Sequence, residues 1–402
     1  MRSDIVVVRI IHMNSDASRR SFLVAGLTAP AALGSASQTL PQKSSSSPKL
    51  VPETKFEYRT LGKTGLKLTS VGFGTMITSD GTVIERAADM GVNYFDTARG
   101  YQSGNCERMV GAALKSYRKK IVLSTKSAAR DKAGLLEHLE TSLRELQTDW
   151  VDIWYLHAKS KPSDVTDEML EAQAIAKKQG KIRFAGISTH GGQTELVPHV
   201  IGLKHFDVLL TSYNFAMDPS MSAVVASAAQ AGLGVVGMKV MAGGQRRGAS
   251  SGSDRTREIL GRDGAMLAAL KWTLKDRNVH TTIPSITDID QLDENLRAMG
   301  SSFSATDEKV LAAHLRRISP DYCRMCGTCT DMCDKGLPVA DILRYWMYAE
   351  NYGDFSLGLS NYRELSSELG GVRCGECTSC SVHCPNGVQV VRRLSRAQEC
   401  FA

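Results

Sequence analysis

Eight short, mainly apolar runs recur along the middle of the chain, at residues 71–75, 93–97, 121–125, 152–157, 183–189, 208–213, 235–239 and 281–284. Helical periodicity separates each from the next. Runs apolar on both faces must be covered on both faces, which is the condition of a parallel sheet. The intervening stretches each carry one apolar stripe. Leu135, Leu136, Leu139, Leu143 and Leu146 share a helix face behind Asp131, a residue type that caps helix N-termini. Eight strand–helix units in about 250 residues is the arithmetic of a TIM (β/α)8 barrel. The fold class is therefore α/β, with the barrel over residues 55–303. A hairpin, Tyr58-Arg-Thr-Leu-Gly-Lys-Thr-Gly-Leu-Lys-Leu, precedes the first run and turns at residues 62–65. Gly72 and Gly74 read as close packing in the first strand, because no phosphate-cradling glycine fingerprint follows any strand.

In a TIM barrel the chemistry sits where strands end. The second run closes as Asn93-Tyr-Phe-Asp96-Thr-Ala-Arg-Gly-Tyr101, the third at Lys126 and the fourth at His157. Singly, a strand-end Asp is usually a turn residue, and a lone Lys or His is usually structural. Four such groups on one rim make an acid site able to reduce a carbonyl. Their order and context resemble the aldo-keto reductase family, over about residues 56–300. Members of that family close the barrel bottom with such a hairpin. The resemblance implies Tyr101 as general acid, with Lys126 and Asp96 behind it and His157 orienting the carbonyl oxygen. A free phenol has a pKa of about 10, so Lys126 is expected to pull Tyr101 down while Asp96 holds Lys126 in place. A small carbonyl or sugar-like compound is the implied substrate, reduced by hydride from NAD or NADP.

The cofactor positions depart from the family pattern. Where the family commonly has Ser-Asn against the nicotinamide, this chain has Ser188-Thr189 followed by His190. Leu210 stands for a usual glutamine, and Met238, next to Lys239, stands for a stacking aromatic. Ser285 and Gln291 replace basic residues that hold a 2′-phosphate, while Glu294 and Asn295 match the residues that hold the adenine. A 2′-phosphate calls for Arg or Lys, and this segment is acidic, so NAD is favoured over NADP. A plain capped helix with an acidic first turn explains the same residues without a ligand. The basic stretch up to Asp254, with Gly243-Gly244-Gln-Arg-Arg-Gly-Ala-Ser-Ser-Gly, reads equally as a lid over a pyrophosphate or as a surface loop. Trp154, His190, Arg99 and the loop after Lys239 are candidates for the substrate rim or for structural roles.

Eight of the ten cysteines fall in two runs, Cys323-x2-Cys326-x2-Cys329-x3-Cys333 and Cys374-x2-Cys377-x2-Cys380-x3-Cys384-Pro385. This clustering implies metal, since zinc favours separated pairs and disulfides favour dispersal. The runs resemble two-cluster ferredoxins, in which the fourth cysteine of each run serves the other cluster. That resemblance implies one [4Fe-4S] cluster on Cys323, Cys326, Cys329 and Cys384, and a second on Cys374, Cys377, Cys380 and Cys333. Asp334 departs from the expected proline. Residues 337–371 exceed a compact ferredoxin loop, and Ile342-Leu-Arg-Tyr-Trp-Met-Tyr and Tyr362-Arg-Glu-Leu look helical. Residues 304–402 are thus expected to form a small, mainly helical ferredoxin-like iron–sulfur domain, opened by a helix starting at Thr306-Asp-Glu. Cys106 reads as a packed apolar residue and Cys400 as tail.

The amino terminus, Ser18-Arg19-Arg20-Ser21-Phe22-Leu23 followed by a short apolar run and Gly34-Ser35-Ala36, resembles a twin-arginine export signal over residues 1–36. Translation is expected to start at Met13. A Ser- and Pro-rich linker follows over residues 37–54. The expected location is periplasmic, with no membrane span after cleavage. The net charge of +7 is scattered and not interleaved with aromatics, so no nucleic-acid partner is expected. These features describe an exported oxidoreductase of the iron–sulfur-containing aldo-keto reductase subgroup, with a redox partner protein. The alternative is a non-enzymatic electron-relay or redox-sensing subunit whose barrel site is vestigial.

Overall fold

The computed structural model describes residues 56–242, 264–365, 369 and 371–401. The expected signal, linker and start site, and the glycine-rich stretch from residue 243, lie outside the described residues.

The hairpin forms as β1 (Tyr58–Thr60) and β2 (Lys67–Thr69), paired antiparallel with Tyr58 opposite Thr69. Eight parallel strands follow in sequence order. They are β3 (Phe73–Gly74), β4 (Tyr94–Asp96), β5 (Val122–Ser127), β6 (Val151–Leu156), β7 (Ile182–Thr189), β8 (Val208–Ser212), β9 (Gly234–Met238) and β10 (Thr281–Thr282). Parallel bridges from Val71 to Thr282 and from Gly74 to Ser285 close the ring. Gly74 is required there, because a Cβ would lie 2.6 Å from the Ile283 carbonyl oxygen.

Helices α1 (Gly81–Asp89), α2 (Asn105–Leu114), α3 (Lys132–Glu145), α4 (Asp167–Lys178), α5 (Gln193–Leu203), α6 (Met221–Gln230), α7 (Ala265–Lys275) and α8 (Ile289–Leu296) surround the strands. α3 starts as its sequence requires, with the Asp131 carboxylate accepting from Gly134 N at 2.8 Å. Alternating strand residues supply two apolar layers. Phe73, Phe95, Leu123, Trp154, Ile187 and Leu209 face the helices. Tyr94, Val122, Ile153, Tyr155, Val208, Leu210 and Val236 fill the barrel, where Leu61, Leu66 and Leu68 of the hairpin join them. Trp154 therefore belongs to the outer core and does not reach the substrate rim; a β6 residue between Ile153 and Tyr155 must face the other way.

The chain continues through α9 (Ala305–Ile318), α10 (Val339–Glu350), α11 (Phe355–Arg363) and α12 (Val390–Phe401). The α9 cap is Ser304, two residues before the expected start, in a capping box with Asp307. Cys400, expected in a tail, lies in α12 against an apolar cluster. That cluster joins Ile342, Leu343 and Trp346 of α10 to Leu394, Ala397 and Phe401 of α12, and the cysteine loops pack on it. A second cluster joins this region to the barrel, bringing Tyr322, Met325, Met347 and Tyr348 onto Met76, Ala216 and Ala242. The approach is close enough that a Cβ at Gly191, beyond β7, would lie 2.7 Å from the Met325 carbonyl oxygen. Among the described residues no helix is long and apolar enough to cross a membrane.

Candidate active site

Barrel register brings the four expected polar groups to one rim. Asp96 pairs with Ser124 on β5, Arg99 N donates to the Lys126 carbonyl at 3.0 Å, and His157 N donates to the Ser127 carbonyl at 2.9 Å. Lys126 Nζ donates to Asp96 Oδ2 and, at 2.7 Å, to the Thr97 carbonyl; both side chains of the pair are 1% exposed. The same ammonium stands 4.9 Å from the centre of the Tyr101 ring, and the Tyr101 and His157 rings meet edge-on at 5.9 Å. Tyr101 is fixed by a strained turn. Gln102 and Ser103 adopt left-handed φ angles of 48° and 54°, held where Gln102 Nε2 donates to the Thr78 carbonyl at 2.7 Å.

The electrostatics differ from expectation at one point. Burial pushes the Tyr101 phenol well above its ordinary value, and the nearby Asp96 carboxylate adds to the rise, so Lys126 does not pull it down. Tyr101 is a firmly protonated donor. Burial, with Lys126, Arg344, Lys159 and Lys239 nearby, drives His157 well below its usual range. His157 is therefore neutral near pH 7, suited to donate a hydrogen bond without offering a full charge. Burial also opposes charge on both Asp96 and Lys126, and each offsets that cost for the other.

Two supports were not legible in the sequence. Inside the barrel a hydrogen-bonded file runs from Asp96 Oδ1 through Ser124 Oγ at 2.7 Å and Tyr94 Oη at 3.1 Å to Tyr155 Oη at 3.0 Å. Tyrosines on a strand read as apolar core until their hydroxyls are seen to meet. Glu107, fully buried on α2, accepts from Thr125 Oγ1 at 2.6 Å and pairs with Arg99. Arg99 thus braces the wall and does not line the cavity.

One cavity gathers Asp96, Tyr101 and His157 with His190, Met238, Lys239, Ser285, Gln291, Glu294 and Asn295. The tetrad rim and the segment expected to hold a dinucleotide are therefore continuous. Ser188 and Thr189 are not among its lining residues. Ser188 Oγ accepts from Ala158 N at 2.9 Å, and Thr189 Oγ1 donates to the Gly191 carbonyl at 2.7 Å. His190 lines the cavity instead, 5% exposed and with Nδ1 unpartnered. Gln291 holds the start of α8 together by donating to Thr287 Oγ1 and Asp288 Oδ2, both at 2.8 Å. The far wall comes from beyond the barrel: Arg344, Tyr345 and Tyr348 on α10, Tyr352 after it, and Leu357 and Asn361 on α11.

The cysteine thiols lie near one another in two sets. Besides burial, which pushes the Cys323 thiol up to about 12, the thiols acting on it are Cys329, Cys326 and Cys384. Those acting on Cys374 are Cys380, Cys333 and Cys377. Donors point at sulfur: Met325 N to Cys323 Sγ at 3.4 Å, and Asn386 Nδ2 to Cys326 Sγ at 3.6 Å. Among the described residues no three His, Cys, Asp or Glu side chains converge on a single ion.

A family model described as "Aldo/keto reductase family" matches residues 71–316, and one described as "4Fe-4S dicluster domain" matches residues 322–389. Similar proteins include the uncharacterized oxidoreductase YqkF of Bacillus subtilis (strain 168), 35% identical over 150 residues, 33% of this chain and 48% of YqkF. L-galactose dehydrogenase of Arabidopsis thaliana is 26% identical over 286 residues, 61% of this chain and 89% of that protein. The match thus spans about half the length of the B. subtilis relative. Among solved structures, the holo form of aldo-keto reductase AKR11C1 from Bacillus halodurans aligns with a TM-score of 0.55 and 26% identity, covering 64% of this chain and 96% of that one. The chain belongs to the aldo/keto reductase family, and its (β/α)8 barrel is followed by a 4Fe-4S dicluster domain.

Proposed function

We propose that this protein interconverts a carbonyl and an alcohol by hydride transfer, with Tyr101 as the acid and base. The observation that carries the reading is the shared cavity, which is lined by Tyr101 and His157 and also by Glu294 and Asn295. A bound nicotinamide dinucleotide supplies or accepts the hydride. Glu294 and Asn295, both under a tenth exposed, hold its adenine end. Met238 and His190, whose Nδ1 is buried and unpartnered, line the cavity and would contact the nicotinamide. Ser285, Gln291 and the acidic start of α8 favour NAD over NADP, because a 2′-phosphate calls for a cation and these positions offer none among the described residues. His157, neutral, donates to the carbonyl oxygen and orients it. Tyr101 Oη delivers the proton as negative charge develops on that oxygen. Lys126, fixed by Asp96, stabilises the phenolate left behind, so its effect belongs to the transition state and not to the resting phenol.

In the dicluster domain, Cys323, Cys326, Cys329 and Cys384 hold one [4Fe-4S] cluster and Cys374, Cys377, Cys380 and Cys333 the other, two one-electron carriers beside a two-electron site. Coupling between them and an external redox partner is part of the proposal. So is periplasmic location through the twin-arginine signal, which rests on sequence alone and is tested by fractionating cells after Arg19→Lys/Arg20→Lys substitution. For the core reading, purified, cluster-loaded protein is titrated anaerobically with NADH and then NADPH while the iron–sulfur absorbance is followed. Bleaching by NADH in preference to NADPH is expected. Bleaching by dithionite but by neither nucleotide would separate the clusters from nicotinamide chemistry and leave an electron-relay subunit as the better account.

A further inference from the structure

The charged side chains that line the cavity are Asp96, Lys239, Glu294 and Arg344. Asp96 is committed to Lys126, and Glu294 belongs to the adenine end. What remains beside Tyr101 and His157 is positive. Lys239 has no carboxylate partner among the described residues. Its Nζ stands over two rings of the dicluster domain, 4.8 Å from the centre of Tyr348 and 4.4 Å from that of Tyr352. Left-handed backbone at Lys239, φ 57°, points to a position held against its preference. Arg344 lies along Tyr345, 5.3 Å from its ring centre, and gives one nitrogen to Asp341 at 2.9 Å. Its side chain is 13% exposed, whereas that of Asp341 is 44% exposed and sits toward solvent. A guanidinium has five donors, and one carboxylate partner leaves most of the fork for something else. His190 adds a buried ring nitrogen with no partner.

Arg344, bonded to Asp341 and Tyr345 with donors of its fork left over, and Lys239, with no carboxylate partner among the described residues, line the cavity beside an unpartnered His190 ring nitrogen, an arrangement that suits an occupant of opposite charge. A neutral alcohol or aldehyde cannot supply that charge. We propose that the substrate carries a carboxylate, and that Arg344 binds it, with Lys239 beside it, so that the dicluster domain sets the specificity of the barrel. This rests on the carbonyl–alcohol reading above and narrows it to oxo and hydroxy acids. The pyrophosphate of a dinucleotide presents the same anionic chemistry, so the test must tell the two sources apart.

The decisive measurement is calorimetric binding to full-length, cluster-loaded protein, which needs no turnover. Two matched pairs serve as probes, D-gluconate against D-glucitol and D-glycerate against glycerol. In each pair the members differ by a carboxylate in place of a hydroxymethyl group. The acid of at least one pair should bind about 10-fold tighter or more, equivalent to roughly 1.4 kcal/mol. Arg344→Gln should bring that ratio close to one with the iron–sulfur spectrum unchanged. Arg344→Lys should keep part of it, since charge survives and the fork does not. Asp341→Asn, which removes the internal competitor, should tighten the acid, and this variant guards against a misfolded Arg344 substitution. Saturating NADH should leave the preference in place. Ratios near one for both pairs in the unaltered protein, or loss of acid binding once NADH is present, would overturn the proposal. The second outcome would assign the cations to the dinucleotide. Tyr101-dependent reduction of neutral D-glyceraldehyde reports separately on the carbonyl–alcohol reading, and its failure would strike that reading and not the carboxylate preference.

Discussion

At the level of single residues, the tetrad was legible because its members end consecutive strands, and strand ends in a closed barrel must meet. Tyr101→Phe keeps the ring and its packing on His157 while deleting the phenol proton. Turnover should fall by about 10²-fold or more, with far-UV circular dichroism and melting temperature unchanged. Lys126→Met should be worse for the fold, because Asp96 would be left charged and 1% exposed. Breaking a buried pair costs about 3–5 kcal/mol, which denaturant titration would read. The sign of the effect on Tyr101 was not legible, since proximity to a lysine is visible in sequence and desolvation is not. The pH dependence follows the structure. His157 is held neutral, so kcat/KM should show no limb from it between about pH 6 and pH 8. Lys239 is different: burial, then Arg344 and Lys126, bring its ammonium down to about 7. The groups around it are Lys126 and Arg344, whose charge lowers it, His157 and His190, which burial drives well below their usual range, and Tyr348 and Tyr352, whose phenols burial pushes up. A lysine so depressed is charged below that pH and neutral above it. Gluconate affinity should therefore weaken several-fold from about pH 6 to pH 8, and Lys239→Met should flatten the trend.

Among elements, strands could be placed from their apolar runs to within about two residues, because burial on both faces leaves few other patterns, and α3 from its leucine stripe and Asp131 cap. α10 was legible as a helix over its middle. Its position was not. That Arg344, Tyr345 and Tyr348 line the same cavity as Tyr101, more than 240 residues earlier in the chain, follows from packing between Met325, Met347 and the rim residues Met76 and Ala216, which no local pattern encodes. Gly191 tests that docking. Gly191→Val puts side-chain atoms where the Met325 carbonyl already stands, at a cost of about 1–3 kcal/mol of overpacking. The loop bearing Cys323 and Cys326 should lift, so the iron–sulfur absorbance should bleach faster in air than in the unaltered protein while the barrel's circular dichroism persists. Ser304→Ala removes the α9 cap and should lower stability by about 1 kcal/mol, visible as a lower melting temperature.

For the whole molecule, the sequence carries the parts list and leaves out one relation between the parts. Barrel and dicluster domain read as neighbours along the chain, joined end to end. In space α10 serves both. One face packs with α12 in the core that the cysteine loops line, while Arg344 and Tyr348 reach the cavity of the barrel. Metal assembly and substrate binding thus depend on one rod of structure. Loss of iron from the cysteine loops should therefore be felt in the cavity wall, and faster proteolysis of α10 in iron-free than in cluster-loaded protein would report it.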